Sequence, residues 1–433
     1  MQFKIEMEKT SNIVRKFTIS VPAQVIANRF EKGLAEVQRT AKIKGFRPGH
    51  VPISVVKQYY ADDVRGRVFN SLIDESYQEA VREHKIATVG SPKIEGLKDQ
   101  TLGEDKEFTY TATVEVLPEI EAKGYTGLAL TKEPSEVNDG DIEKVIENIR
   151  SSHAELNPID GPAKKGDFAD VTFSGGLITD NGLEEKPGMK GTRMIELGSN
   201  SMIPGFEDNL EGMKKTETKT FKIKFPKDYQ EKDFASKQAE FTVTVNEVKE
   251  KKLPELNEEF SKNMGYDTMD ELKKNIREHV QKDKTEESER KVRSDLMQML
   301  IDKNKFDVPG SLIEAQTRAL AQDWSQELKR QGFNDEMIKQ AVTTELENLK
   351  KRAESQVRAS LILESIAKQE KVEIKPEDFE AELQKVAGSM KVGPEKLKEF
   401  YAKDPGRKED FIFRMRQEKT VSFLIEKAKI KNK

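Results

Sequence analysis

From about residue 251 onward the chain reads as helix after helix, and one of these limits what the whole can be. Between Asp270 and Lys303, apolar residues recur at helical spacing at both ends: Leu272, Ile276 and Val280, then Val292, Leu296 and Leu300. The stretch between them, QKDKTEESERK (Gln281–Lys291), has none. A helix that is polar all round cannot sit inside one core; it stands in solvent or bridges separated parts. Further stripes follow Pro309 (Leu312, Ala319, Leu320, Trp324, Leu328) and occupy Glu336–Lys371, Pro376–Met390 and Arg407–Lys429. These segments share no fixed period, so a repeat solenoid is excluded and an elongated all-α arm domain is expected. Composition agrees. Charged residues make up 35% of the chain and the apolar class 35%, against about 25% and about 45–50% in ordinary globular chains. The parts are therefore small or extended, with much surface per residue.

The other end has different periods. MQFKIEMEK alternates Phe3, Ile5 and Met7 with charges, which is a strand and not the apolar core of a signal peptide. A second strand, Arg15–Val21, follows a Ser11-Asn12 turn. After Pro22, Ile26, Phe30, Leu34, Val37 and Ala41 form one helical stripe. GFRPGHVP (Gly45 to Pro52) breaks it, since two Gly and two Pro in eight residues cannot continue a helix. A second helix runs from about Ile53 to Glu83, and a closing strand, Phe108–Val116, sets alternate residues on one face. Residues 118–165 read as a connector in which Asn138 caps a helix with Asp141 at its third position. Residues 166–250 are richer in Gly, with short strands (Asp170–Ser174, Thr220–Phe225, Phe241–Val248) and a short helix. The expected fold is multidomain α+β, divided at 1–117, 118–165, 166–250 and 251–433.

Several chemistries drop out. The chain has 433 residues and no cysteine, so disulfide and thiolate-metal frameworks are impossible. Lys and Arg (74) nearly balance Asp and Glu (78) for a net charge of −4, which argues against a generally basic nucleic-acid binder. No phosphate-loop motif, G-x-S-x-G elbow or H-E-x-x-H occurs, and the four histidines lie far apart. Neither a cofactor nor a metal is expected, and no apolar run approaches the ~20 residues of a membrane span. With neither an export core nor a cysteine, a cytoplasmic location is expected.

Two stretches carry function. In the first, a tight turn accounts for Gly45, Pro48, Gly49 and Pro52 but not for Phe46 beside Arg47. Lys42, Lys44, Arg47 and His50 make the same end basic, and a ring beside a guanidinium is an anchor pair for protein surfaces or RNA phosphate. In the second, Phe173, Ile203, Phe206, Tyr229 and Phe241 form either the core of the middle domain or an apolar pocket for a proline ring. The residues by themselves leave both pairs of readings open.

GFRPGHVP resembles the G-F-R-x-x-x-x-P signature of the trigger factor family of ribosome-associated bacterial chaperones. LPELNEEF (Leu253–Phe260), FDVPGSLIE (Phe306–Glu314) and FRMRQEKTVSFLIEKAKI (Phe413–Ile430) are similar in kind to that family's C-terminal region. TFSG (Thr172–Gly175), ELGSNSMIPGFEDNLEGM (Glu196–Met213), FPKDYQ (Phe225–Gln230) and AEFTVTV (Ala239–Val245) resemble an FKBP-type prolyl isomerase. The resemblance implies an N-terminal α+β domain with a helix-loop-helix tip, a small FKBP-like antiparallel β+α domain and helical arms. It implies ribosome docking at Gly45, Phe46, Arg47 and Pro48, on a ribosomal protein and RNA at the tunnel exit, and an isomerase pocket of Phe173, Met202, Ile203, Phe206, Tyr229 and Phe241. It also implies nascent and unfolded polypeptides as partners, with a homodimer off the ribosome. Two departures stand out. Pro48 takes a place where many members carry a basic residue, and two pocket aromatics are missing, Arg193 standing at one position and Leu183 or Glu185 at the other. Each missing ring costs ~0.5–1.5 kcal/mol, which predicts isomerase activity lowered tenfold to a hundredfold. An isomerase with helical substrate handles, or a scaffold for one folded partner, are the alternatives.

Overall fold

Prolines 22 and 52 lack an amide hydrogen and hold φ near −60°, which suits the entry to a helix, and a long helix follows each of them. In this computed structural model, which describes residues 3–47, 49–96, 103, 106–179, 182–229, 231 and 233–432, the chain opens with β1 (Lys4–Lys9), β2 (Val14–Val21), α1 (Ala23–Thr40), α2 (Ile53–Glu83), β3 (Thr88–Glu95) and β4 (Phe108–Val116). The strands form an antiparallel sheet in the order β1-β2-β4-β3. Alternation in β4 buries Phe108, Tyr110, Ala112, Val114 and Val116 against the stripes of α1 and α2. Tyr110 is fully buried, and its hydroxyl donates to the Ile73 carbonyl of α2 at 3.0 Å and meets Ser76 Oγ at 2.8 Å. Arg29 of α1 pairs with Glu75 of α2.

The chain divides into two units, Glu133–Ser288 and the combination of Met1–Lys132 with Glu289–Lys433. After β5 (Ala129–Lys132) the first of these begins. It holds α3 (Asp139–Ser152), β6 (Glu155–Ile159), β7 (Phe168–Thr179), β8 (Gly182–Glu196), β9 (Thr218–Lys224), β10 (Gln238–Lys252), α4 (Glu258–Asn263) and the first part of α5 (Met269–Lys303). Asn138 caps α3: its side chain accepts from the Asp141 amide at 3.0 Å while its own amide donates to Asp141 Oδ2 at 3.1 Å. Ile142 and Ile146 then pack on Phe260, Leu272 and Ile276. Strands β6-β10-β7-β8 are consecutive, and β9 shares with β6 the far edge of the long β10. The short helix expected here is a single 3₁₀ turn, Glu207–Asn209.

The polar middle of α5 bridges, as one of its two options required. Gln281 donates to the Ser135 carbonyl at 2.6 Å, Lys284 reaches Asp141 at 2.6 Å, and the buried Ser288 hydroxyl donates to the Glu133 carbonyl at 2.8 Å. The connector segment is what it carries.

In the other unit, Val292, Leu296 and Leu300 of α5 meet Ile362, Leu363 and Ile366 of α7 (Asp335–Gln369) and Leu424 of α10 (Pro405–Glu426). Between these lie α6 (Gly310–Arg330), α8 (Pro376–Met390) and α9 (Pro394–Ala402). Connector residues are threaded into this core. The Ser365 hydroxyl donates to the Ile120 carbonyl at 2.6 Å and accepts from the Ala122 amide at 3.1 Å, and Asn304 bonds both backbone groups of Lys123. A closing strand, β11 (Lys429–Asn432), pairs in parallel with β5. The start of α6 is held by Glu115 of β4, whose two oxygens accept from the amides of Gly310 and Ser311 at 2.9 and 2.7 Å. Burial by itself raises that carboxyl, but these bonds at the positive end of a helix overcome it and leave Glu115 below its ordinary pKa.

Candidate functional site

The turn between α1 and α2 is built from the residues that the sequence marks. Gly45 and Gly49 take φ of +94° and +83°, a region open to glycine at little cost. The Phe46 amide donates to the Ile43 carbonyl at 3.1 Å, and the His50 amide to the Arg47 carbonyl at 3.0 Å. Val51 is fully buried, and its carbonyl accepts from Gln38 Nε2 at 2.6 Å, which ties the loop's far side to α1. The turn is thus anchored while its outer residues point away: Phe46 is 42% exposed, and Lys42, Lys44, Arg47 and His50 are all exposed. Among the described residues, no ion pair or side-chain hydrogen bond engages the Arg47 guanidinium. Pro48, expected in the same site, lies outside the described residues.

In the middle unit, Phe173 of β7 and Phe241 of β10 project from neighbouring strands toward Phe206, which enters from the 3₁₀ turn. The three rings meet edge to face or tilted, Phe206 lying 5.4 Å from Phe241 and 6.1 Å from Phe173. Gly175 makes this possible, because a Cβ there would sit 2.5 Å from the Phe241 ring and 2.8 Å from the Glu240 carbonyl. The rings form one wall of a cavity of about 370 Å³, which Met202, Ile203 and Tyr229 also line. All six residues expected in the pocket therefore border the same space. Phe225 and Phe234, which sequence reasoning missed, border it too, clustered with Tyr229 at 4.8 and 6.3 Å. These two rings come from the segment after β9, and so stand apart from the two β8 positions where the expected aromatics are absent. Arg193 borders the cavity, while Leu183 and Glu185 are exposed and do not.

A buried carboxylate shapes the pocket's lip. Glu207 is 8% exposed and accepts from the amides of Gly198, Asn200 and Met202 at 2.9, 3.0 and 3.0 Å. The loop is wound on this anion, so Met202 and Ile203 are fixed beside the rings. Burial alone raises the Glu207 carboxyl, but the amides of Met202, Asn200 and Gly198 prevail and its pKa is lowered. A half-open cavity of this size, lined mainly by rings and apolar side chains, has room for a proline ring. The X-Pro barrier of roughly 18–20 kcal/mol is mostly lost amide conjugation, so a dry aromatic site favours the twisted, less polar amide without any nucleophile.

The helical part keeps some apolar side chains uncovered. Phe333, Met337 and Leu346 lie exposed on the α6–α7 hairpin, and Met390, Val392, Phe400 and Phe413 on α8–α10 and their joints. Among the described residues, no helix is long and apolar enough to cross a membrane.

A twisted antiparallel sheet closed over an aromatic cavity defines a prolyl isomerase domain of the FKBP type, and that family's profile matches residues 160–246. Residues 3–149 match the profile of the bacterial trigger factor protein, and residues 268–426 that of its C-terminus. Trigger factor of Geobacter sulfurreducens is 34% identical over 430 residues, covering 99% of this chain and 98% of the relative. That of Bdellovibrio bacteriovorus is 35% identical over 431 residues, covering 99% and 97%. A solved trigger factor chaperone aligns over 97% of this chain and 99% of its own, at 19% identity and a TM-score of 0.49. The chain belongs to the trigger factor family. It is a chaperone with an FKBP-type peptidyl-prolyl isomerase domain, and its partners are the ribosome and nascent chains. The full-length match favours this reading over an isomerase with helical handles or a dedicated scaffold.

Proposed function

We propose that the α1–α2 turn is the ribosome anchor, Phe46 entering an apolar recess of a ribosomal protein while Arg47 pairs with a carboxylate or an RNA phosphate beside the exit tunnel. The exposed ring next to a guanidinium with no partner among the described residues, on a turn whose base is pinned by Val51 and Gln38, is the observation that carries this reading. Residues 1–117 then dock, the helices from 251 onward shield apolar stretches of the emerging chain, and the pocket within 166–250 isomerises its prolines. In that pocket Phe173, Phe206 and Phe241 form the floor, with Met202, Ile203 and Tyr229 closing around the ring. The work is done in the cytoplasm, without ATP.

Ribosome co-sedimentation tests the anchor. A charge-assisted contact is worth ~1.5–3 kcal/mol, so Arg47→Ala should weaken binding by roughly ten- to a hundredfold. Binding should also weaken as salt rises, through the phosphate share of the contact. Unchanged co-sedimentation of Arg47→Ala would remove the docking role.

A further inference from the structure

We infer that Arg193 makes the isomerase pocket select prolines flanked by a residue with a carboxylate side chain, aspartate or glutamate. This rests on the isomerase reading of the pocket. Arg193 stands on β8 directly across from Val171 of β7, and Gly191 two residues earlier stands across from Phe173. Side chains of i and i+2 share a face of a strand, as do directly opposed residues of an antiparallel pair. Arg193 therefore rises from the face that carries the Phe173 ring and the buried Ile195, and it borders the cavity at its exposed side.

Its charge is not already spent. Among the described residues, no carboxylate pairs with it and no hydrogen bond is made by its guanidinium. Arg193 is also the one cation that lines this cavity among those residues, the other charged group being Glu231 in the turn after Tyr229. The two differ in how they are held. Arg193 is rooted in the part of β8, Lys190–Glu196, that pairs continuously with β7, so its reach is fixed relative to the rings, whereas Glu231 sits on a turn. A proline seated among the aromatic rings leaves its neighbouring residues at the rim, where a planar five-donor fork takes a carboxylate in two-point contact. Lysine at the same place in the substrate meets like charge.

The test measures kcat/KM of the full chain on three proline peptides that differ only in the residue before proline: Glu, Leu or Lys. An exposed charge contact commands about two- to fivefold, so Glu should exceed Lys by that factor at low salt, with Leu between them. The ratio should approach one at high salt, collapse in Arg193→Met and survive in Arg193→Lys. The ratio is the readout, so a general loss of turnover in a variant does not mimic the effect. Equal rates for Glu and Lys peptides with the unaltered chain, or an undiminished ratio in Arg193→Met, would overturn the inference while leaving the isomerase intact. Absence of turnover with all three peptides would instead overturn the isomerase reading and the selectivity with it.

Discussion

Replacing Glu207 by glutamine keeps the side chain's shape and removes what the lip of the pocket is wound on. One carboxylate oxygen accepts from the amides of Gly198 and Asn200, the other from Met202 and the hydroxyls of Ser199 and Ser201. A glutamine has one carbonyl oxygen. In its best orientation it keeps Gly198 and Asn200 and turns its NH₂ toward the Met202 amide, two donors face to face. Leaving that amide unsatisfied costs ~1–3 kcal/mol, and the two remaining bonds each lose ~1 kcal/mol on passing from charged to neutral acceptor. We therefore expect a loss of about 3–5 kcal/mol, which at 1.36 kcal/mol per decade is a hundredfold or more in the opening equilibrium. Hydrogen exchange on the full chain reads this locally: amides of β7 and β10 should lose about two to four decades of protection, while those of α5 and α7 keep theirs. The pH dependence adds a second check. Because folding lowers the Glu207 pKa from its ordinary 4.5, its contribution is present above that value and is lost as pH falls through the folded one. Glu207→Gln should be flat across that window. Protection of β7 and β10 within a factor of three of the parent, at neutral pH, would refute the idea that this anion organises the lip.

Two further outcomes follow from burial elsewhere. Gly175→Ala forces a methyl group to within 2.5 Å of the Phe241 ring, an overpacking of ~1–3 kcal/mol; calorimetry should show the transition of the isomerase unit lowered by roughly 5–15 °C, and an unmoved transition would mean that the ring yields freely. Burial pushes the Tyr110 hydroxyl up to about 12 against an ordinary 10, so folding opposes its ionisation and stability should fall by about 2–3 kcal/mol as pH climbs from 10 to 12. Urea midpoints of the parent and Tyr110→Phe should diverge below pH 10 and draw together above it; a constant gap would show that Tyr110 is not the source.

The parts of this architecture that were legible in the amino-acid order are those where a period repeats. The stripes of α1 and α2 and the alternation of β4 announce themselves because one face of each is buried. Strand β3 (TVGSPKIE) and strand β8 (GLEEKPGMKGTRMIE) carry Gly and Pro and little apolar alternation, so their pairing is imposed by β4 and β7 rather than by local preference. For the same reason Arg193 could be assigned to a missing aromatic's position but not to a face. Phe225 closes an expected strand and Phe234 falls in the polar stretch beyond it, and only the folded chain returns both beside Tyr229. At the tip the reverse held, since turn chemistry accounted for Gly45, Pro48, Gly49 and Pro52 but not for Phe46 beside Arg47, and those two are left in solvent. The clasp between Glu115 and the start of α6 joins segments far apart in sequence and leaves no local trace.

The parallel pairing of β5 with β11 has a bearing on how this molecule is born. Ala129 leaves the translating machine long before Lys429 exists, so the ladder between them, and the helical layer that Leu130 shares with Leu424, stay open while everything in between is being made. Glu133–Ser288 is inserted between the two parts of the other unit, and its strands and its stretch of α5 are complete once residue 288 has emerged. A helper of newborn polypeptides thus spends much of its own synthesis half-assembled, its first sheet and the inserted portion complete while the helical core around β5 waits for the final strand.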